Sequence, residues 1–395
     1  MTIRHAATIV AALALATGVI AGSASANAAT MPFQPVLPAP TGHDSIGTVE
    51  LHLVDPTRTD PWVPDHPIRE IMAQVWYPAR DTSGFPLAPW LDPGAAPHFE
   101  QANAIPPDAV TLPVTHAHVG APVDQRSGPR PVILYSTGSH GDRSLGTNLV
   151  EDLTSHGYIV VAIDHTHDAS EVEFPGGRIE VGTLPPDTLA VNTEAVAVRD
   201  ADTRFVLDEL AVLNHGGNPD AEHRQLPHDI RGSMDLSRTG MFGWSIGGAT
   251  AAATMLDDNR IAAGIDMDGT IYGPVRTAGL NRPFLLMSSQ SHNRDTDPSW
   301  ADFWSNLHGF RLDLKLAGSQ HSTYSDVESL LPQVAALIGV PPDVLTQELG
   351  TIDPARAISV ERTYIRAFFD TMLRHHEDRL LDGPSPRFPE MRFIP

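Results

Sequence analysis

A serine lies between two glycines in the segment Gly243-Trp244-Ser245-Ile246-Gly247. The residues before it favour a short strand, and the small residues after it favour a helix. A sharp turn from strand to helix exposes the serine hydroxyl and strains its backbone, and side chains two positions away on either side would clash. The pattern therefore predicts that Ser245 is the nucleophile of an acyl-transfer reaction, at a helix N-terminus that stabilises negative charge.

A serine hydroxyl is a weak nucleophile and needs a histidine to take its proton. Five histidines follow the serine in the chain: His292, His308, His321, His375 and His376. His321 comes just after a predicted strand, where a loop can reach over the carboxyl edge of a parallel sheet. His292 follows the preceding predicted strand and is the main alternative. We expect His321 to be the base.

The histidine needs a carboxylate that fixes its tautomer and stabilises the imidazolium. Asp268 ends the strand predicted directly after the Ser245 helix. Asp295 and Asp297 follow the next strand, which is the commoner place for the acid, and Asp266 lies deeper on the strand of Asp268. Sequence position alone leaves these aspartates as alternatives.

Strand and helix patterns alternate from residue 131 onwards. Strands are predicted at 48–54, 69–77, 131–136, 158–164, 239–242, 262–268, 283–289 and 312–317, and helices at 145–155, 192–213, 246–256, 324–338 and 354–376. This alternation predicts a mostly parallel central sheet with helices on both faces. Together with the turn at Ser245 it predicts an α/β-hydrolase fold. We expect a single domain over residues 29–395, with an irregular proline-rich insertion at about 79–131.

The N-terminus has the pattern of a secretory signal peptide. Basic residues precede an apolar run from Ala6 to Ala21, and small residues follow it. We expect cleavage after Ala26 or Ala28, so that residues 1–28 are removed and the mature protein is secreted. No later apolar run approaches the roughly 20 residues that a membrane-spanning helix needs.

Composition excludes several classes of function. The chain has 26 basic and 48 acidic residues and a net charge of −22, so neither nucleic acid nor an anionic membrane is an expected partner. It contains no cysteine, which excludes disulfides, thiolate metal sites and cysteine nucleophiles. It has no phosphate-binding glycine pattern, and we expect no cofactor and no metal. The segment His165-Thr166-His167-Asp168 is interpreted as a loop that lines the pocket.

Several segments resemble the plasma-type platelet-activating-factor acetylhydrolases. They are residues 135–139, 152–162, the turn at Ser245, 264–268 and 318–321. Members of that family are secreted α/β-hydrolases that remove short or oxidised acyl chains from phospholipids without calcium. The resemblance selects Asp268 as the acid and supports His321 as the base.

Acyl transfer also needs backbone N–H groups that stabilise the oxyanion. One should be the N–H of Ile246, the residue after the nucleophile. The resemblance points to Ser139 for the other, with His140 as the neighbouring alternative. Trp244 and Thr137 stand where the family usually has histidines, which changes the pocket wall and removes no catalytic group.

The sequence therefore predicts a secreted serine esterase with the triad Ser245, His321 and Asp268. The expected partner is a small lipid-like or amphipathic carboxylic ester, such as a short-acyl phospholipid or a lipopeptide lactone. Two alternatives are a secreted serine peptidase of the same fold and a non-catalytic binding protein on the same scaffold. The presence of all three triad residues favours the enzyme.

Overall fold

A computed structural model describes residues 32–63, 65 and 68–395, so the predicted signal peptide at 1–28 lies outside the described residues. The strands are β1 (Ser45–Asp55), β2 (Arg69–Ala79), β3 (Leu87–Pro89), β4 (Val114–Val119), β5 (Arg130–Ser136), β6 (Ile159–Asp164), β7 (Glu171–Phe174), β8 (Arg178–Val181), β9 (Met234–Trp244), β10 (Ile261–Met267), β11 (Phe284–Ser288), β12 (Arg311–Leu316) and β13 (Met391–Phe393). Over the described part of the chain, eleven of them form one sheet in the order β13-β12-β11-β10-β9-β5-β6-β2-β1-β4-β3, and β7 and β8 form a separate hairpin.

Helices connect the strands and cover the sheet. They are α1 (Ala96–Ala102), α2 (Thr147–Ser155), α3 (Leu189–His215), α4 (Ile246–Asp257), α5 (Val275–Ala278), α6 (Pro298–Ser305), α7 (Val327–Val334), α8 (Pro342–Leu349) and α9 (Pro354–Arg374), with short 3₁₀ turns at Arg143–Gly146, His321–Tyr324 and Arg379–Leu381. None of the helices in the described residues combines the length and apolar character needed to cross a bilayer.

Strand β5 shows how the two helical layers share the sheet. Ile133 and Tyr135 are buried in one apolar cluster with residues of α2 and α9. Val132 and Leu134, on the opposite face, are buried in a second cluster with residues of α3, α4 and α6. A strand covered on both faces is apolar at every position, which is why 131–136 reads as a continuous apolar run. The predicted mostly parallel sheet with helices on both faces is confirmed.

The parallel strands bring distant parts of the chain to one edge. Neighbouring pairs from β12 across to β6 all run parallel, so their carboxyl ends lie at the same edge of the sheet. Strand β9 ends directly before Ser245, β10 ends directly before Asp268, and β12 ends shortly before the 3₁₀ turn that begins at His321. The fold therefore places the three predicted catalytic residues on loops at one edge.

Residues 79–131 contain the regular elements β3, α1 and β4, although the sequence shows no sustained periodicity there. Strand β4 pairs in parallel with β1, with Ile46 opposite Ala117, and β3 pairs with β4 in antiparallel. These short strands have no long apolar pattern of their own. They are stabilised by hydrogen bonds at the edge of the existing sheet. The segment thus extends the sheet and carries α1.

Candidate active site

Ser245 occupies the sharp turn between β9 and α4. Its φ of 57° and ψ of −129° lie outside the regions that non-glycine residues usually adopt. The turn has no room for side chains at its flanks, because a Cβ on Gly243 would overlap the backbone of Gly247 and a Cβ on Gly247 would overlap the carbonyl oxygen of Ser136. The Ser245 N–H donates to the carbonyl oxygen of Met267 at 2.8 Å, which ties the turn to the end of β10.

His321 begins the 3₁₀ turn after β12 and contacts two groups of the site. Its Nδ1–H donates to Oδ2 of Asp268 at 2.7 Å. The indole Nε1–H of Trp244 donates to the main-chain oxygen of His321 at 2.9 Å, and the two rings lie 5.3 Å apart between centroids. The residue before the nucleophile thus fixes the backbone of the predicted base.

Asp268 is buried and accepts hydrogen bonds on both carboxylate oxygens. Oδ2 accepts from His321, and Oδ1 accepts from the backbone N–H of Ser289 at 2.6 Å and from Nδ1–H of His292 at 3.1 Å. Burial acts to raise the pKa of Asp268, but the hydrogen bonds from the two histidines outweigh it and hold the pKa below its usual value. Asp268 is therefore an ionised acceptor for the ring of His321.

The other aspartates that the sequence left open have different environments. Asp295 is exposed. Asp297 caps the N-terminus of α6 by accepting from the Ser299 N–H, and it also accepts from His292 Nε2–H at 3.1 Å. Asp266 is fully buried, and burial raises its pKa well above the usual value. Only Asp268 among these four aspartates is hydrogen-bonded to His321.

Ser245 and His321 line the same pocket, which has a volume of about 410 Å³. Gly138, Ser139 and Trp244 contribute to its wall. The hydroxyl that the sequence predicts to attack, and the histidine predicted to activate it, therefore open onto one space large enough for a small molecule.

A buried arginine orients the loop after β5. Arg199 of α3 is fully buried and donates to the carbonyl oxygens of Thr137 at 2.5 Å and Gly138 at 3.0 Å. Asp168 accepts hydrogen bonds from Nε and Nη2 on one edge of the guanidinium, at 2.6 Å each. In a trans peptide the N–H points away from the preceding C=O, so the N–H of Ser139 is directed away from Arg199.

The two candidate donors on this loop differ in their backbone contacts. The N–H of His140 is directed at Oδ1 of Asp168, at 3.4 Å, and His140 has a positive φ of 59°. Ser139 lines the pocket with its N–H turned away from the arginine. Ile246 is the first residue of α4, where backbone N–H groups have no partner within the helix.

The segment His165-Thr166-His167-Asp168 lies away from the pocket, contrary to the interpretation as a pocket-lining loop. His165 is buried between Asp202, at 3.0 Å from Nδ1, and the hydroxyl of Ser136, at 3.0 Å from Nε2. His167 Nδ1 lies 2.8 Å from Asp60. Within the part of the chain that the structure describes, no group of three or more histidine or acidic side chains is arranged to hold a metal ion. Asp168 instead forms an ion pair with Arg199, which binds the loop after β5.

An apolar cavity of about 340 Å³, which we call the apolar chamber, adjoins the pocket that Ser245 and His321 line. The walls common to both are Phe99, Asn103, Leu145, Val327 and Glu348. The remaining lining comes mainly from residues 105–113 and from the region of α7 and α8. The sequence predicts that residues 79–131 are an irregular insertion, but no local pattern joins this insertion to α7 and α8, because these walls of the chamber come from segments more than 200 residues apart.

The sheet order and the strand–turn–helix at Ser245 define the class of protein as an α/β-hydrolase. A ferulic acid esterase from Streptomyces cinnamoneus has the same fold, with a TM-score of 0.78 and 36% sequence identity over 91% of this chain and 99% of that one. The chain belongs to the family of platelet-activating factor acetylhydrolase, isoform II, whose family model matches residues 108–382. The family resemblance predicted from the sequence is confirmed.

Two further relatives are named an esterase and an acetylhydrolase. A probable 1-alkyl-2-acetylglycerophosphocholine esterase of Arthroderma benhamiae is 28% identical over 408 residues, covering 94% of this chain and 97% of its own length. The platelet-activating factor acetylhydrolase of Cavia porcellus is 24% identical over 214 residues, covering 50% of this chain and 48% of its own length. The protein is a carboxylic ester hydrolase.

Proposed function

We propose that the protein is a secreted serine esterase whose catalytic triad is Ser245, His321 and Asp268. The observation that carries this proposal is the 2.7 Å hydrogen bond between His321 Nδ1 and Asp268 Oδ2, in a pocket that Ser245 also lines. Because Nδ1 carries the hydrogen that binds Asp268, Nε2 is the nitrogen available to accept the serine proton.

In the proposed reaction, His321 Nε2 takes the hydroxyl proton as Ser245 Oγ attacks the ester carbonyl carbon. The carbonyl oxygen becomes negatively charged and accepts hydrogen bonds from the N–H groups of Ile246 and Ser139. The bond to the alcohol oxygen then breaks, and His321 gives its proton to the departing alcohol. Water deprotonated by His321 attacks the acyl-serine, which releases the carboxylic acid and restores Ser245. The proposal assigns no cofactor.

The substrate that we propose is an ester with a short or modest acyl chain on an amphipathic body. The apolar chamber supports this proposal, because its volume of about 340 Å³ lies at the low end of the usual 300–1,000 Å³ for small-molecule sites. The net charge of −22 disfavours adsorption to anionic lipid aggregates. Short-acyl phospholipids and lipopeptide lactones fit this description. Methyl ferulate is a second type of candidate, since a relative is named a ferulic acid esterase.

The acyl-chain preference is tested by narrowing the chamber. In a p-nitrophenyl ester series from two to sixteen carbons, we expect the highest kcat/KM at short or modest chains, without a jump on substrate aggregation. Leu330→Trp fills part of the chamber and should lower kcat/KM for the octanoate by about tenfold or more, while the acetate changes by about twofold or less.

Leu337→Trp is the matched control, because Leu337 is 52% exposed and lies outside the chamber lining. It should leave the chain-length profile unchanged. Methyl ferulate, measured with the same three proteins, shows whether an aromatic acyl group depends on the chamber. A maximum at sixteen carbons with a jump on aggregation would identify an interfacial lipase and contradict the proposed substrate class.

The two alternative functions separate in simple assays. A serine peptidase of this fold would cleave members of a peptide panel as well as esters, whereas an esterase would leave the peptides intact. A binding protein on this scaffold would neither hydrolyse esters nor react with a fluorophosphonate. The hydrogen-bonded His321–Asp268 pair and the strained Ser245 turn favour the esterase over the binding protein.

Export of the protein is also a proposal, supported by the signal-peptide pattern of residues 1–28. When the full chain is produced in a bacterial host with a secretory pathway, we expect it in the medium or periplasm with Asn27 or Ala29 as its first residue. Mass spectrometry of the N-terminal peptide gives this position. Recovery of the exported protein with residues 1–28 intact would contradict cleavage at either site.

A further inference from the structure

A second histidine binds the carboxylate of Asp268. His292, on the loop between β11 and α6, donates from Nδ1 to Asp268 Oδ1 at 3.1 Å, and His321 donates to the other oxygen at 2.7 Å. The His292 side chain is 17% exposed, and its ring packs on Trp300 of α6 with centroids 4.4 Å apart. The proposed triad uses only one of these two histidines, so the second needs its own explanation.

Both ring nitrogens of His292 face carboxylate oxygens. Nε2 lies 3.1 Å from Oδ2 of Asp297, while Nδ1 lies 3.1 Å from Asp268. An ionised carboxylate only accepts hydrogen bonds, so a ring between two of them has to donate from both nitrogens and is an imidazolium. The Asp297 carboxylate is itself held in place, because it accepts hydrogen bonds from the Thr270 hydroxyl and from the Ser299 N–H, each at 2.8 Å.

The charges around the ring come from several elements. Asp266 and Asp268 belong to β10 and its end, Asp297 to the start of α6, and Asp313 to β12, where Arg294 pairs with it at 2.6 Å. Burial acts to lower the pKa of His292, and the hydrogen bonds that it donates to Asp268 and Asp297 outweigh this effect and raise the pKa to about 10. Burial raises the pKa of Asp266 well above its usual value. His292 is therefore cationic over the whole neutral range.

We propose that His292 is a positioning residue: a permanent cation that fixes the Asp268 carboxylate and keeps His321 in its neutral, proton-accepting form at mildly acidic pH. This inference rests on the proposed triad. The general base is inactive once it is protonated. A cation on the far oxygen of Asp268 partly offsets the carboxylate charge that would otherwise stabilise protonated His321. Without that cation, protonation of His321 would begin at higher pH.

The test is the pH dependence of kcat/KM in His292→Gln. Glutamine can still donate a hydrogen bond to Asp268 but carries no charge, and Asp297 remains ionised. We expect the acidic limb to move to higher pH by on the order of one unit, as the loss of one charge at an effective dielectric constant of about 20 implies. The plateau above pH 8 should fall by less than about tenfold. A limb at the wild-type position, whatever the plateau, would overturn the inference.

Asp297→Asn is a second variant that retains the cap of α6, since asparagine is as good an N-cap as aspartate. Its amide can donate to Nε2 of a neutral His292, so the ring loses its charge while its contacts remain. We expect a smaller shift in the same direction. No shift in Asp297→Asn would contradict the inference even if His292→Gln failed to fold.

His376→Gln is the matched control, because His376 is exposed and lies at the end of α9. It should reproduce the wild-type profile. The other acidic residues of the pocket, Asp142, Glu171 and Glu348, are unchanged in all of these variants. Fluorophosphonate labelling of Ser245 is measured on each protein. If the variants are labelled and active but the acidic limb of their kcat/KM profiles does not move, the role of His292 is rejected and the triad is not. If the wild type is not labelled at Ser245, the triad itself is rejected.

Discussion

Replacing Ser245 with alanine should lower kcat/KM for p-nitrophenyl acetate by at least about 10³-fold and abolish labelling by a fluorophosphonate. The expected loss is large because Ser245 is the proposed nucleophile, it lines the pocket of His321, and the sequence contains no cysteine that could take its place. Alanine retains the Cβ that the turn already accommodates, so the fold should be preserved. Ester turnover and mass mapping of the labelled peptide measure both effects.

Ser305→Ala is the control for this experiment, because Ser305 is exposed at the end of α6. It should behave as the wild type in both assays. A covalent label that persists on another serine in Ser245→Ala would show that the nucleophile lies elsewhere.

The second large effect is expected for Asp268→Asn, which should lower kcat by on the order of 10³- to 10⁴-fold. Asparagine has nearly the same shape and can still accept from the Ser289 N–H, so the loop after β10 should keep its conformation. It no longer provides a charge for protonated His321, and its amide group can leave His321 in the wrong tautomer. Steady-state kinetics gives the loss, and thermal unfolding reports whether the fold is intact.

Asp295→Asn is the matched control, because it makes the same chemical change at an exposed position. Its kcat should remain within about twofold of the wild type. An active Asp268→Asn together with an inactive Asp295→Asn or Asp297→Asn would reverse the assignment of the acid.

The sequence determined the local features of this protein. The glycines around Ser245 predict the strained turn, because a side chain at Gly243 would conflict with Gly247 within five consecutive residues, and the structure has the same turn. The apolar runs predict the parallel sheet because a strand covered on both faces is apolar along its interior, as β5 is from Pro131 to Tyr135. The position of His321 after β12 predicts the edge at which it lies, since parallel strands share one carboxyl edge.

Tertiary structure decided which of the distant polar residues meet. Sequence position left Asp266, Asp268, Asp295 and Asp297 as alternatives for the acid, and His292 as an alternative to His321. In the structure His292 and His321 are not alternatives, because each binds one oxygen of Asp268. A single carboxylate has two acceptor oxygens, and only the packing of β10 between its neighbours determines what each of them faces.

The same holds for the walls of the site. Arg199 is one residue within a long helix in the sequence, and its role in directing the Ser139 N–H arises because α3 packs beneath the loop after β5. The apolar chamber combines Phe99 with Val327, from segments that no local pattern connects. Steric strain in a tight turn and apolar periodicity arise mainly between residues that are close in the chain, so the sequence predicts them. Hydrogen-bond partners and cavity walls depend on residues that the fold alone brings together.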